Sequence, residues 1–168
     1  MIKDSGNRRE FESGAVRDIP EGKGRCDLLP LSTVAEIFSR TGFDIGCRCL
    51  TYLDRFMWSG DVDQLFAAVF DYCEVTFGDV PSGLLEVSIH YEEGATKYGE
   101  HNWEKGIPAH SFLDSAIRHL IKCSRDDKDE RHDRAFVWNL LGLAWTIRNR
   151  PECNDLPYAA GTVNRDGE

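Results

Sequence analysis

The chain has 168 residues, enough for one domain with a sizeable core, and a composition ordinary for a globular protein. Its formal net charge of −9 argues against general binding to a nucleic-acid backbone, while leaving room for a small anion held by a local cluster of cations. No apolar run is long enough to span a bilayer, and the opening MIKDSGNRREFESG lacks the apolar core of a secretory signal, so the expectation is a cytoplasmic protein with no membrane partner and six reduced cysteines.

Residues 1–12 are charged and aperiodic and read as a loose arm. The stretch GAVRDIPEGKGRCDLLP, residues 14–30, is rich in glycine and proline and reads as loop. It carries Arg17, Lys23 and Arg25, so it is either a phosphate-holding loop or a strap that docks on the body. Pro30 opens a helix with Val34, Ile37 and Phe38 on its apolar side, ending near Gly42. Helices over about 45–58 and 62–77, joined by the turn Ser-Gly-Asp, read as an antiparallel hairpin whose aromatics serve mainly as core. That hairpin has more aromatics than one packed side needs, counting Phe43, Tyr52, Phe56, Trp58, Phe66, Phe70, Tyr72 and Phe77. A homodimer or larger closed assembly is therefore expected.

The turn GDVPSG leads into a helix from about Leu84 to Gly99. On it Glu86, His90, Glu93 and Lys97 share one face, and Val87, Tyr91 and Ala95 another. The charged face suits a metal or phosphate site beside the aromatic loop that follows, although charges so placed on a helix more often form a solvated surface. Residues 109–124 form a helix with the stripe Leu113, Ala116, Ile117, Leu120 and Ile121, an Asp114–Arg118 pair, and His119 at the stripe's edge. The charged turn SRDDKDERHD runs into a last helix stopped by Pro151, and the tail from 151 to 168 reads as irregular. Alternating β-branched runs are missing, so the predicted fold is all-α: a single-domain bundle of about five to six helices with an extended N-terminal loop.

Two clusters carry chemistry. Glu86, His90, Glu92 and Glu93 form one; Asp129, Glu130, His132 and Asp133 form the other. Adjacent antiparallel helices can join such groups around a divalent ion, with oxygen ligands selecting Mg2+ or Mn2+ and added histidines favouring manganese, iron or zinc. Lys23, Arg25, Lys97 and Arg118 supply positive charge for phosphates, and Tyr98 or Trp103 a surface on which a base can stack. No Gly-rich phosphate loop of the Walker type occurs, and the lone His132–Asp133 dipeptide reads as a chance match to histidine–aspartate phosphohydrolases.

GAVRDIPEGKGRCDLLP, EEGATKYGEHNWEKGIP, LDSAIRHL and ERHDRAFVWNLL, in this order, resemble a phage and prophage family of dATP/dGTP diphosphohydrolase-like N-terminal domains. That family is similar in function to the MazG-like all-α nucleotide pyrophosphohydrolases. The resemblance covers about 13–42 and 83–150 and leaves 43–82 as an inserted hairpin. It implies a site containing Arg17, Asp18, Lys23, Arg25, Lys97, Tyr98, Asn102, Trp103, Arg118, His119, His132 and Asn139. MazG-like enzymes pair two glutamates on one helix with an ExxD motif on another, which Glu92–Glu93 and Glu130–Asp133 match in spacing.

The resulting expectation is hydrolysis of a purine deoxynucleoside triphosphate, dATP or dGTP, to monophosphate and pyrophosphate. His119, His132 and Glu93 are the expected catalytic residues. Arg17, Lys23, Arg25, Lys97, Tyr98, Asn102, Trp103, Arg118 and Asn139 are expected to bind substrate. Glu86, Glu92, Glu93, Glu130 and Asp133 are expected to hold Mg2+ or Mn2+. The competing expectation is a nucleotide-binding or interaction module of a phage without turnover.

Overall fold

The computed structural model describes residues 8–19 and 22–158. Six α-helices make up its body: α1 (Leu31–Phe38), α2 (Asp44–Ser59), α3 (Asp63–Phe77), α4 (Val80–Tyr98), α5 (Ala109–Ser124) and α6 (His132–Asn149). The all-α expectation holds, and α2 and α3 form the anticipated hairpin. Gly60 ends α2 in the left-handed region at φ 72°, a conformation that costs a residue without Cβ little. The helix expected from Leu84 begins earlier, at Val80, because the Asp79 carboxylate accepts a hydrogen bond from the Ser82 N–H at 2.6 Å and caps it.

The sequence reading found no strand, and here the structure differs. β1 (Arg8–Glu10) and β2 (Val16–Asp18) pair antiparallel, with Arg9 opposite Arg17. This short ribbon draws on no hydrophobic alternation. It forms because a turn at Gly14, φ 78°, folds the chain back, and because side chains of the helical body hold β2. Residues 8–10 of the expected loose arm are thus paired, while 1–7 lie outside the described residues. In the tail, Leu156 is buried and the Tyr158 ring packs edge-on against Phe56 at 5.7 Å; residues 159–168 lie outside the described residues.

The core runs between α5 and α6, which pack antiparallel, and α2 and α3 close its far side. Phe112, Leu113, Ile117 and Leu120 meet Phe136, Leu140 and Leu143, with Leu50, Leu53, Phe56, Leu65 and Tyr72 behind them. The predicted stripe on α5 is the buried stripe, as its helical period requires. Gly142 on α6 faces the Phe112 ring so closely that a Cβ there would stand 2.5 Å from a ring carbon. Of the hairpin aromatics, Phe56 and Tyr72 belong to this core, Phe43, Tyr52 and Phe77 are half-buried, and Trp58, Phe66 and Phe70 are exposed. Among the described residues no helix is long and apolar enough to cross a membrane.

Candidate active site

A cavity of about 680 Å³ opens between α4, α5, the start of α6 and the β1–β2 ribbon with the loop that follows it. Its size suits a nucleotide. Its wall includes Arg17, Lys23, Arg25, Glu92, Tyr98, Asn102, Trp103, Arg118, His119, Glu130 and Asn139, so most of the predicted site residues converge on one space.

Arg17 is the cation built deepest into the wall. β2 carries it over α5, where its Nη2 donates to Asn139 Oδ1 at 2.9 Å and to Ser115 Oγ at 3.2 Å. The guanidinium lies 5.0 Å from the Phe112 ring and 5.6 Å from the Trp138 ring. Its Nη1 is buried and without a hydrogen-bond partner. Burial lowers its pKa to about 10, against the pull of Tyr98, Asp114 and Asp18. A buried cation with a donor to spare is an invitation to an anion.

Several residues expected to bind substrate hold the roof of the cavity. Asn102 grips β2 at two points: its Oδ1 accepts from the Val16 N–H at 2.8 Å and its Nδ2 donates to the Val16 carbonyl at 2.8 Å. Lys97 Nζ and Tyr98 Oη both bond Asp18, at 2.9 and 2.8 Å. Arg118 donates to Asp114 at 2.6 Å and to the Gly24 carbonyl at 2.8 Å, while Asp114 Oδ1 accepts from the Cys26 N–H at 2.6 Å. Arg25 forms a fork with Asp27 at 2.5 and 2.7 Å, and Lys23 stands exposed at the mouth. Asn139 positions Arg17 and is itself fixed by donating to the Ala135 carbonyl at 2.7 Å. Trp103 packs edge-on against Trp145 at 4.9 Å and Tyr91 at 5.8 Å, forming one aromatic wall of the cavity.

The expected metal ligands divide. Glu86 and Asp133 do not reach the cavity. Glu86 pairs with Arg134 and lies 3.5 Å from Arg131, and Asp133 pairs with Arg131 at 2.7 Å. Spacing along α4 cannot reveal that Arg134 stands across from Glu86, Asp133 pairs with an arginine two residues before it, and both carboxylates are already neutralised. Glu92 lies exposed on the cavity wall, whereas Glu93 is half-buried on α4 outside it. Glu130 does reach the site, in company the sequence reading had assigned to catalysis. His119 Nδ1 and His132 Nδ1 are 3.0 Å apart, and each lies 3.3 Å from Glu130 Oε1. These three residues can hold a divalent ion, and they fit one through two nitrogens and an oxygen. Burial, then the nearness of His132, pushes His119 well below the ordinary histidine pKa.

Ser115 and Trp138 carry no signal in the sequence, and Asp114 and Asp129, seen there as a helix pair and as part of an acidic cluster, are not expected as supports of the site. Asp114, Ser115 and Asp129 support Arg118, Arg17 and His132, and Trp138 forms part of the aromatic wall. A signal existed for Asp114: a carboxylate in the middle of an apolar helix face, paired four residues on with an arginine.

A family profile described as dATP/dGTP diphosphohydrolase, N-terminal, matches residues 70–156, more than half of the chain. The chain belongs to this family. The match begins within α3, inside the stretch expected as an insertion, and takes in α4, α5 and α6 but not residues 13–42. All three members of the His–His–Glu cluster therefore fall in the family segment, while Arg17 and the basic loop fall outside it. No curated protein and no solved structure matches the chain.

Proposed function

We propose that the protein hydrolyses a purine deoxynucleoside triphosphate, dATP or dGTP, between its α and β phosphates, releasing the monophosphate and pyrophosphate. Membership of the dATP/dGTP diphosphohydrolase N-terminal family motivates the substrate class. The observation that carries the reading is one cavity that has a buried, anion-seeking arginine on its wall and a three-point cation seat in the same enclosure.

Arg17 sets its positive charge on the cavity wall for a phosphate group, and Lys23 at the mouth adds a second positive group. The ring faces of Tyr91, Trp103 and Trp138 supply an apolar wall for a base. Asn102, Lys97 and Tyr98 hold β2 so that Arg17 keeps its place. A divalent ion at the His119–Glu130–His132 cluster would offset phosphate charge and make a bound water a better nucleophile. In a phage setting such an enzyme would adjust the nucleotide pool of the host cytoplasm.

Chromatography of products from dATP and dGTP, with Mn2+ or Mg2+ present, tests the proposal. Monophosphate and pyrophosphate in equal amounts are expected; inorganic phosphate, free nucleoside or no turnover would reject it. His119→Ala and His132→Ala should each lower turnover at least about tenfold, or about 1.4 kcal/mol in barrier. Full activity in both would place the chemistry elsewhere.

A further inference from the structure

We propose that His119 Nδ1, His132 Nδ1 and Glu130 Oε1 seat one divalent transition-metal ion, of the manganese, iron or zinc class rather than magnesium, with Asp129 as the residue that orients His132. This deepens the hydrolase reading and rests on it for its purpose, but its test requires no nucleotide.

The geometry is the first support. An ion bonded to N and O donors at about 2.1 Å needs those donors about 3.0 Å apart at octahedral angles and about 3.4 Å apart at tetrahedral ones. The three separations here are 3.0, 3.3 and 3.3 Å. The donors come from three different places: the third turn of α5, the turn after it, and the first residue of α6. Packing of α5 against α6 brings them together, whereas a chance pair of neighbours on one helix would need no such convergence.

The tautomer is the second support. His132 Nε2 lies 2.7 Å from Asp129 Oδ1, and a carboxylate there accepts the Nε2 proton. Nδ1 is then left with its lone pair facing His119 and Glu130. Asp129 is fixed in turn by Lys122, at 3.0 Å from its other oxygen. A carboxylate behind a histidine, aiming its bare nitrogen, is the usual support of a metal-bound imidazole. A second grouping of Asp127, Asp129 and His132 shares the Nε2 side. Its carboxylates are already paired, Asp129 with Lys122 and Asp127 with Arg125, so it orients the histidine and offers no free seat.

Access and donor type complete the argument. His119 and Glu130 line the cavity and His132 lies beneath them, 3% exposed, so the open positions of an ion would face the bound ligand. Two imidazole nitrogens and one oxygen favour manganese, iron or zinc; magnesium prefers oxygen donors and keeps its waters. The one rival occupant is a proton shared between the two Nδ1 atoms.

Metal-stripped full-length protein, titrated by calorimetry with Mn2+, Zn2+ and Mg2+, separates these. One Mn2+ or Zn2+ per chain is expected, at least about 100-fold tighter than Mg2+. His119→Ala and Glu130→Gln should weaken Mn2+ binding at least about tenfold, and Asp129→Asn by about 10- to 100-fold. Glu86→Gln should bind as the parent does. Circular dichroism confirms that each variant is folded, and X-ray absorption of the unaltered zinc-loaded protein reads two imidazole ligands without any substitution. No uptake of Mn2+ or Zn2+ at millimolar concentration, Mg2+ bound equally well, or absorption spectra without imidazole would each overturn the proposal. Metal uptake as described with no nucleotide hydrolysis would reject the hydrolase reading and leave the seat standing.

Discussion

Asn102 offers a sharp division between holding the roof and touching the substrate. Its side chain is 6% exposed and both of its polar ends are used on Val16, at 2.8 Å each. Asn102→Ala deletes both bonds and strands the Val16 N–H and carbonyl on the half-buried inner edge of β2. Two bonds at about 1 kcal/mol each give a loss of about 2 kcal/mol, and more if water does not reach the freed groups. For a chain of this size the melting temperature should fall by roughly 4–8 °C. With β2 released, Arg17 loses its placement, so nucleotide affinity should drop as well. Asn102→Asp keeps the acceptor for Val16 N–H but sets an oxygen against the Val16 carbonyl, so at neutral pH it should be no more stable than the alanine variant. Melting followed by circular dichroism, with nucleotide binding by calorimetry, decides the matter. Unchanged melting with weakened binding would mean that Asn102 contacts the ligand, and the clamp reasoning would be refuted.

Other outcomes follow from the same contacts. Arg17→Met keeps an apolar stem between Phe112 and Trp138 and removes a buried charge, but it also strands Asn139 Oδ1 and Ser115 Oγ; relief of the charge offsets part of those two bonds, so the loss of stability should stay below about 2 kcal/mol while nucleotide affinity falls at least about tenfold. A large loss of stability would show that the charge is satisfied in a way that the contacts above do not include. Burial lowers the His90 pKa from 6.5 to about 4, with Arg134 and Arg17 adding to it and Glu93 opposing. The unfolded chain binds that proton first, so this stability is complete above about pH 6.5 and is lost, by roughly 3 kcal/mol, as pH falls towards 4. Urea melts of metal-free protein across that range should be flatter in His90→Gln, and equal slopes would refute the assignment. The exposed Phe66 and Phe70 of α3 and Leu84, Leu85 and Ile89 of α4 are predicted to pair two copies of the chain; a monomer by light scattering at high micromolar concentration would remove that prediction.

The helices were legible because each buries a face with a 3.6-residue period, and α5 shows this most plainly. The ribbon was not, since β2 is held by Asn102, Lys97 and Tyr98, residues distant in sequence whose polar ends carry no periodic signal. Those three residues were expected to bind substrate; the structure adds that their polar ends also hold β2, with Tyr98 and Asn102 on the cavity wall, a role that sequence spacing does not encode. Glu86 stands apart from the cavity for a related reason, as its partner Arg134 becomes apparent only once α4 and α6 lie side by side, whereas Asp133 pairs locally with Arg131, two residues before it. His119 and His132 were both expected in the site, and the packing of α5 on α6 sets their Nδ1 atoms 3.0 Å apart. That Glu130 would join them depended on the conformation of an irregular turn, which no pattern encodes.

Gly142 lies outside the cavity, yet it bears on how the site can vary. It leaves room for the Phe112 ring, and that ring is the platform beneath the Arg17 guanidinium, 5.0 Å away. A single methyl group at 142 would push the ring, and overpacking of this kind costs about 1–3 kcal/mol. The displaced ring would tilt the cation above it. A change at this position would therefore register in an assay as a fault in anion binding, although no atom of residue 142 lines the cavity. Screens that search for substrate contacts by loss of affinity would return this glycine among their hits, and only its melting curve would reveal that it acts through packing.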